Sequence, residues 1–320
     1  MNTSVGYIRP PLGLEDGIPV FSADLYWGKA PAKVLEQALK MIDSSGWKAF
    51  DAEYKGRFDF TYDETRADWR FPIEIDKDSV VLDVGAGMGR STIPLARVAG
   101  RVVAFDASSL RMRYLKRRLA KENITNVELC VADIFDLPFA DGTFDVISMN
   151  GILEWVGKTD RFTNAVDAQN ACLAICHRLL RKGGVLYVGI ENRFALAYVK
   201  AADHGGLHLT SYMPRWMARP YVRFRQGQDY RTYTHTKSGY ERLFERAGFQ
   251  DIRFYLPFPG YNMPRIVWPY EDLNIFSYVI RVMMPANSPL RKLFQLLARF
   301  PLFLRTYRHF FYSYNIIAYK

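Results

Sequence analysis

The sequence has few cysteines and no long apolar run, and these absences limit the kind of protein it encodes. Three cysteines, Cys130, Cys172 and Cys176, provide no even framework for a disulfide-stapled secreted domain. The first twenty residues lack the basic start and apolar run of a secretory signal. Arginines interrupt the most apolar segments near the C-terminus, so none approaches the roughly 18 uninterrupted apolar residues of a membrane-spanning helix. We therefore expect a cytoplasmic protein with reduced cysteines.

Acidic residues are absent after Asp272, whereas seven basic residues follow it. Residues 1–199 hold 25 basic and 26 acidic side chains, and residues 200–320 hold 18 and 7. The net charge of +10 therefore belongs to the second part of the chain and not to the whole surface. A basic region of this kind indicates an anionic partner, which we expect to be a membrane surface or a nucleic acid.

Short buried runs alternate with helical segments between residues 79 and 182. The runs are SVVLDV, RVVAFDA, VELCVAD, FDVISMN and GVLYVGI. Apolar runs of this length that alternate with helices are typical of a parallel sheet covered on both faces. The pattern predicts a doubly wound α/β fold. Later, TKSGYERLFERAG predicts a helix with Thr236 or Ser238 near its N-cap and Gly248 at its end, and the strand-like FQDIRFYLP and SYNIIAYK follow.

The flanks of this region predict additions to the sheet. We interpret residues 1–30, rich in proline and glycine, as an extended arm, and residues 30–44 as an amphipathic helix. We predict that residues 1–75 form this N-terminal extension and that residues 76–320 form the main domain. Insertions at about 193–235 and 259–312 would cover the substrate side of the fold.

A glycine-rich loop follows the first predicted strand of the sheet. Gly85, Gly87 and Gly89 occupy every second position, and the missing Cβ atoms allow a tight turn and a close approach to a ligand. The loop lacks the Gly-Lys-Ser/Thr ending of a P-loop, since Arg90 and Ser91 follow the last glycine. Its third glycine also comes one position too early for the dinucleotide fingerprint. Asp83 precedes the loop by two positions.

Two acids continue this pattern at the ends of the next strands. Asp106 lies 19 residues after Gly87, where a carboxylate can accept both ribose hydroxyls, although the same residue could cap the helix that begins near Ser108. Asp133 ends the third strand, where it could instead close a turn with Asp136.

The combined pattern of DxGxGxG and two acidic strand ends resembles that of class I S-adenosylmethionine-dependent methyltransferases. This resemblance covers residues 76–192 well and residues 240–257 moderately. It implies a Rossmann-like, mostly parallel sheet with an N-terminal helical extension and helical insertions after strand 5 and between the last two strands. It also implies S-adenosylmethionine as cofactor. The residues expected to bind this cofactor are Asp83, Gly85, Ala86, Gly87, Gly89, Asp106, Ala107, Asp133, Ile134, Asn150 and Gly151.

A hydroxyl or ammonium acceptor would need a base near the ends of the fourth and fifth strands. Glu154, Glu191 and His235 qualify by position, and Glu191 could alternatively belong to a structural network with Asn192 and Arg193. His204 and His208 are four residues apart. Glycines lie between them and no carboxylate is expected to join them, so we predict no metal site.

The segments GILEWVG, GIENRFALAY and RTYTHTKSGYERLFERAGF, with YLPFPGYNMP after them, resemble methyltransferase domains associated with bacterial surface polysaccharide and lipopolysaccharide biosynthesis. Ala195 stands where that pattern more usually has glycine. The resemblance implies a glycan or glycan-like small-molecule acceptor. Aromatic side chains suited either to sugar rings or to the core are Tyr230, Tyr233, Tyr255, Tyr261 and Trp268.

Two other functions remain open. Interleaved arginines and tyrosines in RPYVRFRQGQDYR would suit a methyltransferase acting on RNA or nucleoprotein. The other is a cofactor-binding accessory subunit without catalytic activity.

The late insertion predicts an amphipathic helix that begins near Ser288 and is kinked or ended at Pro301. Its apolar positions are Leu290, Leu293, Phe294, Leu297 and Phe300, with Arg291, Lys292 and Arg299 among them. Such a helix could pack on the sheet or dock on the anionic inner face of a membrane.

Overall fold

The computed structural model describes residues 5–25, 31–204, 206–284 and 291–320. The chain divides into two compact units. Unit 1 comprises Met1–Asn150, Ala174–Tyr187 and Tyr319–Lys320, and unit 2 comprises Gly151–Leu173 and Val188–Ala318. The predicted domain boundary at residue 75 stays a prediction.

Unit 1 contains the predicted alternation of strands and helices. Its strands are β1 (Gly13–Glu15), β2 (Ile18–Val20), β3 (Val80–Val84), β4 (Arg101–Asp106), β5 (Val127–Val131), β6 (Phe144–Asn150) and the first part of β7 (Leu180–Glu191). Its helices are α1 (Ala32–Glu53), α2 (Thr92–Val98), α3 (Ser109–Lys121) and the end of α4 (Ala165–Leu179). Short 3-10 segments lie at Asp59–Tyr62, Glu64–Arg70 and Ile134–Asp136.

The strand order in unit 1 is β1-β2-β5-β4-β3-β6-β7. Strand β3 is parallel to both β4 and β6, and β4 is parallel to β5. Since chain-consecutive strands are laid down first on one side of β3 and then on the other, the order reverses there, as in doubly wound sheets. The predicted fold class is therefore confirmed. Ligands bind such sheets outside the carboxyl ends of the strands at this reversal.

Apolar side chains on the strands and on α3 form the core that fixes the glycine loop. Strand residues Ala104 and Val131 pack in one cluster with Ile93, Met112 and Leu115 of the flanking helices. Because β3 and β4 are buried on both faces, they read as continuous apolar runs and not as alternating ones. This core holds the carboxyl ends of both strands in fixed register.

The predicted extended arm at residues 1–30 is wrong in one respect, because part of it is a hairpin. Strands β1 and β2 pair antiparallel, and β2 adds to β5 in parallel at Val20 and Val131. The turn is formed by Asp16 and Gly17, both with positive φ, as favoured in two-residue hairpin turns. Helix α1 continues beyond the predicted residue 44, with a break at Gly46 (φ 77°).

Unit 2 contains the remaining elements. Its helices are α5 (Ala197–Lys200), α6 (Arg215–Gln226), α7 (Lys237–Arg246), α8 (Leu273–Tyr278), α9 (Arg291–Leu297) and α10 (Pro301–Tyr307), with a π-helical turn at Val279–Met283 and 3-10 segments at Val156–Lys158 and Arg308–Phe310. Its strands are β8 (Gln250–Phe258), β9 (Ile266–Pro269) and β10 (Ser313–Tyr319), and the strand order is β7-β10-β8-β9.

Local signals in unit 2 act as predicted. The Thr236 hydroxyl accepts a hydrogen bond from the Gly239 amide at 3.2 Å and so caps α7, and Gly248 follows the helix with φ 96°. Pro301 opens α10, so the late apolar segment forms two helices. The predicted start at Ser288 lies outside the described residues. Within the part of the chain that is described, no helix is both long and apolar enough to cross a membrane.

Candidate functional site

The glycine loop of unit 1 turns sharply at the carboxyl end of β3. Gly85, Gly87 and Gly89 have φ of 65°, 56° and 88°, the left-handed region that favours glycine. A Cβ on Gly89 would lie 2.3 Å from the Leu115 Cδ1, whereas one on Gly87 would meet only the Gly85 carbonyl oxygen at 3.9 Å. Packing thus requires glycine at position 89, while the backbone at position 87 borders open space that a ligand could approach closely.

Asp106 connects this loop to the end of β4. Its buried carboxylate accepts hydrogen bonds from the Gly87 and Ser108 amides, each at 3.0 Å. The Arg111 guanidinium lies 3.5 Å from the same group. A carboxylate has about four acceptor positions, so these bonds leave capacity for a ribose diol. The carbonyl oxygen of Ala107 accepts a bond from the Leu25 amide at 2.8 Å.

Asp83 stabilises the glycine loop through a contact between the two elements that flank it. Its carboxylate is buried and accepts a 2.7 Å hydrogen bond from the Thr92 hydroxyl at the start of α2. Burial raises the pKa of the Asp83 carboxyl to about 6, and the Thr92 bond opposes that rise. These contacts hold β3 to α2 across the loop.

Asp133 makes the turn that the sequence left open as an alternative. Its carboxylate accepts from the Phe135 amide at 3.0 Å, and its carbonyl oxygen accepts from the Asp136 amide at 2.9 Å. Asp133 and Ile134 are half-buried. The turn therefore presents both residues at the carboxyl end of β5.

Asn150 ends β6 and pairs with a residue that the sequence analysis missed. The Arg66 guanidinium donates to the Asn150 carbonyl oxygen at 2.8 Å, and the Asn150 side-chain amide donates to the Arg66 carbonyl oxygen at 3.1 Å. The Asn150 Oδ1 is buried and has no hydrogen-bond partner among the described residues. An ammonium or hydroxyl donor of a ligand would satisfy it. No signal in the N-terminal extension pointed to Arg66, because its role depends on the tertiary contact with β6.

Together these residues fit an adenosyl amino acid. Open glycine backbone, a carboxylate with remaining acceptor capacity and an orphaned amide oxygen lie at the carboxyl ends of β3, β4 and β6. All belong to unit 1. Gly151, the last residue of the predicted cofactor set, begins unit 2, where its amide donates to the Gly189 carbonyl oxygen at 2.8 Å.

Unit 2 brings together two of the predicted catalytic side chains and one that was set aside. Glu154, Glu191 and His204 each offer a ligand atom within 4.8 Å of the others. The His204 Nε2 lies 3.4 Å from Glu191 Oε1 and 3.7 Å from Glu154 Oε1. Glu154 is fully buried and Glu191 is 3% exposed. We name these three residues the carboxylate–histidine cluster.

Tyrosines surround the carboxylate–histidine cluster and orient it. Tyr261 donates its hydroxyl to Glu191 Oε1 at 3.0 Å, and the Tyr198 hydroxyl lies 3.3 Å from His204 Nδ1. Burial first, and then the charge of Glu191, raise the pKa of Tyr198 above its usual range and that of Tyr312 to about 12. These hydroxyls therefore remain protonated at neutral pH.

His235, the third predicted catalytic residue, belongs to a different network. Its Nε2 lies 2.8 Å from Gln169 Oε1, and the Gln169 amide donates to the carbonyl oxygens of Leu153 and Tyr233. Because Gln169 Oε1 is an acceptor, His235 carries its proton on Nε2. Burial, with nearby arginines, lowers the pKa of His235 to about 3. The residue is thus neutral and holds the loop before α7 in place.

One sequence interpretation needs correction here. The expectation that no carboxylate joins His204 is wrong, because Glu154 and Glu191 both do. Nothing in the local pattern indicated this, since His204 lies in an irregular segment between α5 and α6. Of the aromatic side chains suited to sugar rings, four are buried and take the core role, and Tyr255 is half-buried. The buried four are Tyr230, Tyr233, Tyr261 and Trp268.

Comparison with known proteins finds that this chain is similar to methyltransferases. A family model described as a methyltransferase domain matches residues 75–234, half of the chain. A ubiquinone biosynthesis O-methyltransferase of Mesorhizobium japonicum is 31% identical over 135 residues, 42% of this chain and 49% of that protein. The protein of the same name from Brucella ovis is 27% identical over 140 residues, 43% of this chain and 49% of its own.

This chain spans about half the length of the curated relatives it matches. Among solved structures, a Haemonchus contortus phosphoethanolamine N-methyltransferase 2 in complex with phosphomonomethylethanolamine and S-adenosylhomocysteine is 16% identical, with a TM-score of 0.48. That similarity covers 87% of this chain and 58% of the other.

Proposed function

The chain belongs to the methyltransferase-domain family, and we propose that it transfers the methyl group of S-adenosylmethionine to a hydroxyl oxygen of a small molecule. Family membership confirms the predicted Rossmann-like methyltransferase and its cofactor. We propose both the acceptor and the residues that act on it.

Cofactor binding is assigned to unit 1. The Gly85–Gly89 backbone would approach the cofactor closely, Asp106 would accept the ribose hydroxyls, and Asn150 Oδ1 would accept from the amino acid portion. Asp133 and Ile134 would contact the adenine. Asp83 and Ala107 act by positioning the loop and the end of β4, since Asp83 accepts from Thr92 and Ala107 accepts from Leu25. S-adenosylmethionine supplies a sulfonium methyl group, whose C–S bond breaks as the acceptor oxygen forms the new C–O bond.

The carboxylate–histidine cluster is the observation that favours a hydroxyl acceptor. A hydroxyl must lose its proton as the new C–O bond forms, so the acceptor side needs a group that promotes this loss. Glu191 Oε1 is held by Tyr261, while Glu191 Oε2 is buried with no hydrogen-bond partner among the described residues. The names of these relatives, O-methyltransferases, agree with an oxygen acceptor.

Within this class we propose a sugar hydroxyl in surface polysaccharide biosynthesis. Its support is the resemblance carried by GILEWVG and GIENRFALAY. The relatives' names favour a second candidate, a hydroxyl of a ubiquinone precursor. The two acceptors differ in where the new methyl group is found.

Cells with and without the chain, fed methyl-deuterated methionine, would distinguish these acceptors. We expect a deuterated methoxy group on a glycan sugar, detected by mass spectrometry, only in cells that have the chain. Label on a quinone ring would contradict the glycan acceptor and support the ubiquinone precursor. Label confined to RNA nucleosides would support the nucleic-acid alternative and contradict a small-molecule acceptor.

We also propose that the C-terminal segment of unit 2 contacts an anionic membrane from the cytoplasm. Apolar side chains on and beside α9 and α10 are exposed, namely Leu293, Leu296, Phe300 and Leu302. Arg299 and Arg305 are exposed among them, whereas Arg308 pairs with Glu271. Each basic residue near an anionic leaflet adds about 1 kcal/mol to binding.

Co-sedimentation with phosphatidylglycerol vesicles tests this contact. Binding should weaken as salt rises, and the double variant Arg299→Glu, Arg305→Glu should abolish it. A control with two reversals elsewhere, Lys55→Glu and Arg57→Glu, at exposed positions just after α1, should bind as the unmodified chain does. Equal binding by both double variants would exclude this surface.

A further inference from the structure

We propose that the carboxylate–histidine cluster is a binding site for a divalent transition-metal ion. The cluster combines two carboxylates and one imidazole, oxygen and nitrogen ligands that ions such as Mn²⁺ and Zn²⁺ accept together. Three protein ligands leave a coordination position open for another oxygen. The inference rests on the proposed function only for what the ion does there.

The distances within the cluster fit ligands around an ion better than direct hydrogen bonds. Charge-assisted N–H···O bonds are about 2.7–2.9 Å long, whereas His204 Nε2 lies 3.4 Å from Glu191 Oε1 and 3.7 Å from Glu154 Oε1. Two ligands about 2.1 Å from an ion, at a tetrahedral angle, lie roughly 3.4 Å apart. An ion between these atoms would therefore require little movement.

Burial provides a second, independent reason. Two carboxylates that are almost fully removed from water need a nearby positive charge. Glu191 Oε2 also lacks a hydrogen-bond partner among the described residues. A divalent ion would satisfy this oxygen and neutralise both negative charges.

The surrounding tyrosines occupy the positions expected around metal ligands. The Tyr198 hydroxyl lies 3.3 Å from His204 Nδ1, so the Nδ1 proton can be donated to it while Nε2 keeps its lone pair for an ion. Tyr261 donates to Glu191 Oε1 and fixes that carboxylate. Such outer contacts orient ligands and set the tautomer of the histidine.

A bound ion would give the proposed transfer its activated oxygen. When the acceptor hydroxyl binds the open position, the positive charge lowers the hydroxyl pKa. The O–H bond then breaks, its electron pair stays on oxygen and the proton passes to solvent. Glu154 and Glu191 would act as ligands in this step, so neither has to receive the proton.

Electron paramagnetic resonance of Mn²⁺, titrated into the full chain after chelator treatment and without cofactor or acceptor, tests the site. We expect one bound ion per chain. Glu191→Gln and His204→Gln should each weaken binding at least tenfold. Matched controls at exposed positions of the same unit, Glu245→Gln and His208→Gln, should bind within twofold of the unmodified chain.

Calorimetry of S-adenosylmethionine binding to each variant reports whether unit 1 remains folded, and circular dichroism reports on the whole chain. If Glu191→Gln fails to fold, Mn²⁺ binding by His204→Gln alone tests the proposed site. Absence of Mn²⁺ binding, or binding unchanged in the folded cluster variants, would overturn the inference and leave the three residues as a polar cluster without a metal ion. The proposed function would survive that result if methyl transfer continues in chelator. Mn²⁺ binding without any methyl transfer would support the metal site but contradict the proposed function.

Discussion

Replacing Asp106 by alanine should weaken S-adenosylmethionine binding at least tenfold. The Asp106 carboxylate already anchors the glycine loop through the Gly87 amide, and it offers its remaining acceptor positions to the ribose hydroxyls. Hydrogen bonds to a charged group contribute about 1.5–3 kcal/mol each. Loss of a single such bond gives a factor of about ten, and loss of both ribose bonds gives at least about a hundred.

Isothermal titration calorimetry measures this change directly. Asp106→Asn should fall between the unmodified chain and the alanine variant, because the amide keeps one acceptor oxygen but cannot serve both backbone amides. Asp167→Ala, an exposed position on α4, is the control and should leave affinity unchanged. Unchanged affinity in a folded Asp106→Ala variant would refute the assignment of the ribose site.

Three further predictions concern residues around the two sites. Because the pKa of Asp83 in the folded chain is raised to about 6, its ionised form destabilises the fold, so stability is highest below pH 4 and declines as pH rises through 6. In urea unfolding, the stability of Asp83→Asn relative to the unmodified chain should rise by up to about 3 kcal/mol between pH 4 and pH 7. The same stability difference between the two proteins at pH 4 and at pH 7 would contradict this prediction. The pH dependence of stability due to His235 runs in the opposite direction. Its pKa is lowered to about 3, so the stability present above pH 6.5 is lost as pH falls toward 3. His235→Gln should flatten that decline, and parallel curves would argue against a buried neutral histidine. Gly89→Ala should cost about 1–3 kcal/mol, since its Cβ would overlap Leu115; a loss below about 0.5 kcal/mol in the same assay would show that the loop adapts.

The sheet of unit 1 was predictable because β3, β4, β6 and the second part of β7 are almost continuously buried runs. The same logic placed Asp106 and Asp133 at strand ends: Asp106 ends β4, and Asp133 comes two residues after the end of β5. The short hairpin at residues 13–20 was missed because three-residue strands carry too little pattern. Only the Asp16-Gly17 pair, which favours such turns, indicated it.

The acceptor side could be predicted only in part. Glu154 comes soon after β6 and Glu191 ends β7, so their positions could be inferred from topology. His204 and Arg66 reach their partners from irregular or 3-10 segments, whose paths depend on tertiary packing and not on local periodicity. His235 had a favourable position, but its bond to Gln169 comes from α4, 66 residues earlier in the chain.

The most direct test of the central claim compares Glu191→Gln with the unmodified chain in a single preparation, measuring transfer of a labelled methyl group and S-adenosylmethionine affinity together. The account predicts that the rate of transfer falls by about 10² or more, while cofactor affinity stays within twofold. An unchanged rate in the folded variant would contradict it.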